Sequence, residues 1–299
     1  MNNIPIFPDF RKINLIKEKD IRFYTDNFLP YSDYNYISMY TYGLGATRVS
    51  ILNDNLVALF EDYIDEKLFF SFIGLNNIND TVNILLQEAH NKGISTELKL
   101  IPEVSVKDLD NTKFEVISDE SSYDYILSSD KIYNYIGNNL RNKKNLLHRF
   151  TKNYTDVDIR YEINKDQIML LFDIWSDAKY ESSIDGDIEK IAILNLLNSK
   201  ELNYNYVGLT INNKLVSFFV YEIVNDYCIL HFIKYDTDYI GICSFTYKLL
   251  AEKALDNNCK YINIEQDLGI DGLRKAKKQL CPIDYLKKYI IRKYDKWYY

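Results

Sequence analysis

Two kinds of spacing alternate along this chain, an apolar–polar alternation of period two and an apolar recurrence every three to four residues, and together they predict a strand–helix order that appears twice. Residues 36–60 alternate: YISMYTYG leads through Gly43 and Gly45 into TRVSIL, and Asn53-Asp54-Asn55 turns the chain into LVALF, a set of paired strands. The strand KLFFSFIG follows. Asn79-Asp80-Thr81 then opens VNILLQEAHNKG, predicted as a helix capped by Asp80 or Thr81 and ended at Gly93, before a further strand, TELKLIPEV. In the second half, Asp156 to Ile163 reads as a strand. Lys165 to Tyr180 reads as a helix with Ile168, Leu171, Phe172 and Trp175 on one face, and Asp187 to Asn198 as another. YNYVGLTI, KLVSFFVYEI and YCILHFIKYD, separated by Asn212-Asn213 and Asn225-Asp226, form two successive hairpins. A helix from Gly241 to Asp256, a strand from Lys260 to Glu265, a further helix and a last strand complete the order. Periodicity alone therefore predicts an α+β protein of two domains, cut at residues 1–130 and 131–299.

Length and composition narrow the class. At 299 residues the chain exceeds the size at which a single core stops growing, and 47% hydrophobic with 26% charged residues is an ordinary globular balance. The 27 tyrosines reflect a bias toward large, strand-compatible residues. The first twenty residues carry charges within their apolar stretch, which argues against a secretory signal, and no segment has the ~18 uncharged apolar residues of a spanning helix. A cytoplasmic location is expected. Cys228, Cys243, Cys259 and Cys281 lack paired spacing and read as free thiols, and no cluster has metal-ligand spacing.

Charge divides the sequence. The net charge is −7, yet residues 131–155 carry +6 and residues 274–299 carry +7, leaving −20 for the remainder. In the first island Arg141, Lys144, His148 and Lys152 fall on one helical face, with Lys143 and Arg149 beside them and an apolar stripe of Ile136, Leu140, Leu147, Phe150 and Tyr154 behind. Such a face suits a phosphate backbone, and equally a solvated surface. In the second island Arg274, Lys277 and Lys278 share a helix preceded by Gly269 and opened by Gly272, an arrangement that suits an anion or a capped surface helix. Glu265 and Asp267 alternate at the end of a strand. Either can orient an amino group or act as a base, and Asp267 can equally cap the helix. The three histidines read as structural: His90 near a helix end, His148 in the basic helix and His231 between Leu230 and Phe232.

The stretch NIEQDLGIDGLRKAKKQLCPIDYLKKY, residues 263–289, resembles the C-terminal signature of the phosphatidylglycerol lysyltransferase C-terminal domain family, through Asp267-Leu268-Gly269, Gly272-Leu273-Arg274, Lys275-Ala276-Lys277 and Pro282. A second match is the basic helix at 137–154, through Lys143-Lys144-Asn145 and Arg149-Phe150. The resemblance implies two tandem GNAT (acyl-CoA N-acyltransferase-like) domains, whose order β-α-α-β-β-β-α-β the second half follows. It also implies transfer of an aminoacyl group from aminoacyl-tRNA to phosphatidylglycerol or another small acceptor, met in solution or at the inner membrane face. The characterised members carry a transmembrane half ahead of this domain, and none is expected in this sequence.

The site that the resemblance implies has Asp267, Arg274 and Glu265 as catalytic residues. Lys277, Lys278, Gly269, Gly272, Gly241 and Lys234 would bind substrate, and Arg141, Lys143, Lys144, His148, Arg149 and Lys152 would bind tRNA. No cofactor or metal is implied, and no stable protein partner. Where acetyl-CoA enzymes of this fold place a basic or amide residue ahead of a glycine loop, this chain has Asp238-Tyr239-Ile240-Gly241-Ile242-Cys243, whose leading acid opposes a pyrophosphate. Two other functions fit the residues less closely: an N-acyltransferase with an acyl-CoA or acyl-carrier donor, and a non-catalytic module that binds an anion or RNA.

Overall fold

The computed structural model of the chain describes residues 3–43, 46–62, 67–162, 164–177 and 184–294. Contacts group the residues up to Asp124 and the stretch from Leu286 onward into one unit, and Tyr125–Tyr285 into another. The sequence suggested a single cut after residue 130. The difference arises because the last strand pairs back into the first unit, a partnership that strand periodicity does not encode.

The first unit begins with β1 (Arg11–Lys12), α1 (Glu18–Thr25) and α2 (Tyr36–Gly43), followed by β2 (Arg48–Leu52), β3 (Asn55–Glu61), β4 (Leu68–Ile73), α3 (Ile78–Lys92), β5 (Leu98–Pro102) and β6 (Phe114–Ser118). YISMYTYG is thus a helix, not the strand its tyrosines and isoleucine suggested. Asn35 Oδ1 accepts the amides of Ile37 and Ser38, a helix-starting cap, while Tyr36, Ile37, Met39 and Thr41 are all buried, so tertiary packing overrides strand propensity. Gly45 lies outside the described residues. The Asn53-Asp54 turn has positive φ at both positions, as a tight hairpin between β2 and β3 requires. Helix α3 starts three residues before Thr81, whose hydroxyl lies inside the first turn and receives hydrogen bonds from Asn53 and Asn55 without capping the helix. Gly93 ends it at φ 63°. Val82, Leu85, Leu86 and Ala89 of α3 pack on Val57, Leu59, Phe70 and Phe72.

The second unit contains β7 (Asp124–Ser128), α4 (Ser129–Asn134), α5 (Arg141–Asn153), β8 (Val157–Arg160), α6 (Lys165–Asp177), α7 (Ile184–Asn198), β9 (Asn205–Ile211), β10 (Lys214–Val224), β11 (Tyr227–Tyr235), α8 (Ile242–Asp256), β12 (Tyr261–Asn263), α9 (Asp271–Lys278) and β13 (Asp284–Leu286). The order from β8 to β12 is the one read from periodicity. Ile163 and residues 178–180, at the ends of two predicted elements, lie outside the described residues. These strands form a seven-stranded sheet in the order β13-β7-β12-β11-β10-β9-β8, parallel between β11 and β12. A four-stranded sheet β1-β2-β3-β4 and a three-stranded sheet β5-β14-β6, with β14 at Lys288–Lys293, complete a mixed α+β architecture. Cys228, Cys243, Cys259 and Cys281 are free, and burial raises the Cys259 thiol to about 11, which keeps it protonated and unreactive. Among the described residues no helix is long and apolar enough to cross a membrane.

Candidate active site

The site begins where two parallel strands part. β12 pairs with β11 over only three residues, Tyr227–Ile229 against Tyr261–Asn263, and β11 then runs on to Tyr235 with no strand partner on that side among the described residues. Beyond β12 the chain stays with β7, through Ile264 N to Tyr125 O at 3.0 Å and Tyr125 N to Glu265 O at 3.1 Å. The two strands therefore part at the carboxyl end of the parallel pair, which leaves that edge of β11 without a strand partner among the described residues. The segment leaving β12 is bent by left-handed residues, Glu265 at φ 59°, Leu268 at 55° and Gly269 at 75°. For the two that are not glycine this conformation costs about 1–3 kcal/mol each and persists only where neighbours hold it.

Asp267 and its partners hold it. The Arg274 guanidinium donates two parallel bonds, Nε to Oδ2 at 2.9 Å and Nη2 to Oδ1 at 3.0 Å. Tyr125 Oη donates to Oδ2 at 2.5 Å, and the Gly269 amide to Oδ1 at 2.8 Å. Asp267 is wholly buried. Burial alone would raise its pKa, but the bonds from Arg274, Tyr125 and Gly269 outweigh it and hold the carboxylate below its ordinary range. Burial and the bond to Asp267 push the Tyr125 hydroxyl upward, so it remains a donor. Lys277, one turn beyond Arg274, is also turned inward, its Nζ donating to the carbonyls of Ile264 at 2.5 Å and Gln266 at 2.6 Å. The strained segment is thus clamped by α9. Lys278 on the same helix is exposed, and a Cβ added at Gly272 would meet nothing within 4 Å, so the fold makes no demand for glycine there.

Glu265 takes a different partner from Asp267. Its Oε1 lies 3.1 Å from His231 Nδ1, and the other ring nitrogen of His231 lies 3.1 Å from Glu222 Oε1. His231 is the extra residue of a bulge in the β10–β11 ladder, where Val220 pairs with Phe232 and Tyr221 with Leu230. Burial opposes a charge on the imidazole. The hydrogen bonds and charges of Glu222 and Glu265 overcome that and raise it to about 9. Farther along β11, Lys234 is buried, with Nζ 2.5 Å from Glu189 Oε1 and 4.1 Å from the centre of the Trp175 ring. The reading of His231 as an ordinary structural histidine missed this chain, and the tie of Asp267 to Tyr125 and of Lys234 to Glu189 and Trp175 was also unseen.

The two basic islands differ. In the second, Arg274 is joined to Asp267, Lys288 to Asp33 and Asp124, Lys287 to Glu103, and Arg292 to Glu115 and Glu97. Four of its nine basic residues are thus paired with acids. On α5, by contrast, Arg141, Lys144, His148, Arg149 and Lys152 are exposed and Lys143 is half-buried, and none of them pairs with an acid among the described residues. The buried stripe behind them is Leu140, Leu147 and Phe150, whereas Ile136, expected in that stripe, is 51% exposed because it precedes the helix. The stripe packs α5 onto the start of α8: Phe150 meets Phe245 with ring centres 4.8 Å apart, and Tyr154 meets Tyr239 at 5.2 Å. Gly241, at φ 90°, sits under this contact, and a Cβ there would lie 2.1 Å from the Leu146 carbonyl oxygen. Helix packing therefore requires that glycine.

Residues 38–292 match the family described as phosphatidylglycerol lysyltransferase, C-terminal. The chain belongs to this family. Solved structures agree in fold. A conserved protein of unknown function from Bacteroides thetaiotaomicron superposes with a TM-score of 0.80 at 23% identity, covering 94% of this chain and 98% of its own. L-PGS from Bacillus licheniformis superposes at 0.57 with 14% identity, over 85% and 86% of the two chains. The structure titled FemX superposes at 0.59 with 9% identity, over 95% of each. No curated protein sequence matches the chain. Membership of the phosphatidylglycerol lysyltransferase C-terminal family supports a transferase of the aminoacyl type.

Proposed function

We propose that this protein is an aminoacyltransferase that moves an aminoacyl group from aminoacyl-tRNA to a lipid headgroup, of the phosphatidylglycerol kind, or to another small acceptor at the inner membrane face. The fold is read as two tandem GNAT-like domains, the second of which, within Tyr125–Tyr285, carries the active site. The acceptor's hydroxyl or amine attacks the ester carbonyl, and backbone amides along the unpaired edge of β11 hold the oxyanion. Arg274 has three N–H groups beyond the two given to Asp267, and with exposed Lys278 beside it can grip a phosphate. Asp267, with both oxygens engaged, aims Arg274.

The observation that carries this reading is α5. Its basic face is uncompensated, as binding to a phosphate backbone requires. The same helix sets the Leu146 carbonyl and Phe150 Cβ against Gly241, at the helix start where the pyrophosphate of CoA would need open backbone amides. Both facts favour tRNA over an acyl-CoA donor. Retardation of charged tRNA, uncharged tRNA and CoA esters by the purified protein, at two salt concentrations, tests it. Charged tRNA is expected to bind best, with affinity falling steeply as salt rises, and Lys144→Glu with Arg149→Glu is expected to abolish the shift. Saturable binding of a CoA ester without tRNA would move the protein to the N-acyltransferases, and tRNA binding without preference for the charged form would make it a non-catalytic RNA-binding module.

A further inference from the structure

In the first unit, the sheet face that α3 covers is not filled to its end. Arg48 on β2 stands opposite Leu59 on β3, and Leu59 opposite Phe70 on β4, so these side chains share one face. Leu68, two residues before Phe70 on the same strand, joins them. α3 packs on this face and ends at Lys92 and Gly93. Ile94 and Phe10 continue the apolar cover, Phe10 stacking on Phe70 with ring centres 5.7 Å apart. A cavity of about 360 Å³ remains, with apolar walls from Phe10, Leu59, Leu68 and Ile94 and three charged residues, Asp9, Arg48 and Lys92. The three charges are not equivalent. Lys92 is matched one turn back on α3 by Glu88, at 3.1 Å. The side chains of Arg48 and Asp9 have no ion-pair or hydrogen-bond partner among the described residues, and so do not pair with each other although both line the same cavity.

We propose that this cavity binds a free α-amino acid with an apolar side chain, its carboxylate on Arg48, its ammonium on Asp9 and its side chain against Phe10, Leu59, Leu68 and Ile94. An apolar cavity with one unmatched cation and one unmatched anion, held apart, fits a molecule that carries both charges at one end and hydrocarbon at the other. A guanidinium grips a carboxylate through two parallel bonds, and a carboxylate accepts an ammonium in a charge-assisted bond. A fatty acid would leave Asp9 unmatched, and a phosphate ester would be repelled by it. The volume lies at the small end of ligand sites, which run from about 300 to 1,000 Å³. All the residues involved belong to the first unit, so the site is separate from the one around Asp267 and does not depend on the transferase reading.

Calorimetric titration of the intact protein with leucine and phenylalanine tests the site, beside leucine methyl ester, N-acetylleucine and octanoate. Leucine and phenylalanine are expected to bind saturably. The methyl ester, which lacks the carboxylate, and the N-acetyl form, which lacks the ammonium, are each expected to bind at least about tenfold more weakly, the worth of one charged hydrogen bond. Arg48→Gln is expected to weaken leucine by a similar factor and to leave the methyl ester unchanged. Asp9→Asn is expected to weaken leucine likewise and to leave N-acetylleucine unchanged. Arg274→Ala, in the second unit, is expected to leave leucine binding as it is. No saturable binding of leucine or phenylalanine overturns the proposal, as does binding of octanoate as tight as that of leucine. Leucine binding that survives in Arg48→Gln and is lost in Arg274→Ala would place the amino acid in the second unit and overturn it as well. The analogue series on the parent protein needs no variant to fold, and none of these measurements depends on turnover, so their outcome is separate from transfer out of tRNA.

Discussion

Replacing Lys288 by alanine is expected to lower the unfolding free energy by about 3–5 kcal/mol, the cost of leaving buried carboxylates without their cation. Lys288 is fully buried on β14. Its Nζ reaches Asp124 Oδ1 at 2.7 Å, Ser32 Oγ at 3.0 Å and the carboxylate of Asp33, while Asp124 also accepts the Ser32 amide at 2.8 Å. All four residues belong to the first unit, and they join the start of the chain to its last strand. Burial opposes the ammonium charge, but Asp124 and Asp33 outweigh it, and the pKa rises above its ordinary 10.5. A raised folded value means that this contribution is complete below about pH 10.5 and is lost as pH climbs through the higher folded value. Urea unfolding of Lys288→Ala and Asp124→Asn at pH 7 checks the magnitude. A loss under about 1 kcal/mol in both would show that the cluster does not hold β14 in place.

Arg274→Ala is expected to reduce aminoacyl transfer about 100-fold or more, the scale seen when a fixed donor is removed from an active site. The protein is expected to remain folded, because Tyr125 and the Gly269 amide still bond Asp267. Arg274→Lys keeps the charge but not the two parallel bonds, so partial activity is expected. The carboxylate of Asp267 is held below its usual 3.8, so the stabilisation it contributes is present above that pH and disappears as pH falls through the lower folded value. In Arg274→Ala the acid-induced loss is expected to begin at higher pH than in the parent protein, as circular dichroism can follow. Transfer unaffected in Arg274→Ala would remove this residue from the site.

Much of the second unit was legible because its elements are regular. The hairpins at Asn212-Asn213 and Asn225-Asp226 announce their turns, and α8 and β12 have clear periods. α2 was not legible, since its capping Asn35 looks like any loop asparagine and its burial on all sides erases the helical period. The parting of β11 from β12 was also hidden, for a strand's pairing partner is a long-range property. Basic residues were easy to find and hard to weigh: the sequence shows nine in the C-terminal island, but only the fold shows that Arg274, Lys287, Lys288 and Arg292 are already paired. One missed relation was within reach. Counting outward from the Asn225-Asp226 turn puts Glu222 and His231 on the same face of the hairpin, and a histidine beside a buried glutamate invites a search for a second carboxylate.

The central claim is transfer of an aminoacyl group, and the direct measurement offers the purified protein a pool of tRNAs charged with labelled amino acids, together with vesicles containing phosphatidylglycerol. Label is expected to move from tRNA into the lipid fraction or onto another small acceptor, and to stay on tRNA when Arg274→Ala replaces the parent protein. Label that remains on tRNA, or is released only as free amino acid at the uncatalysed rate, would contradict the account.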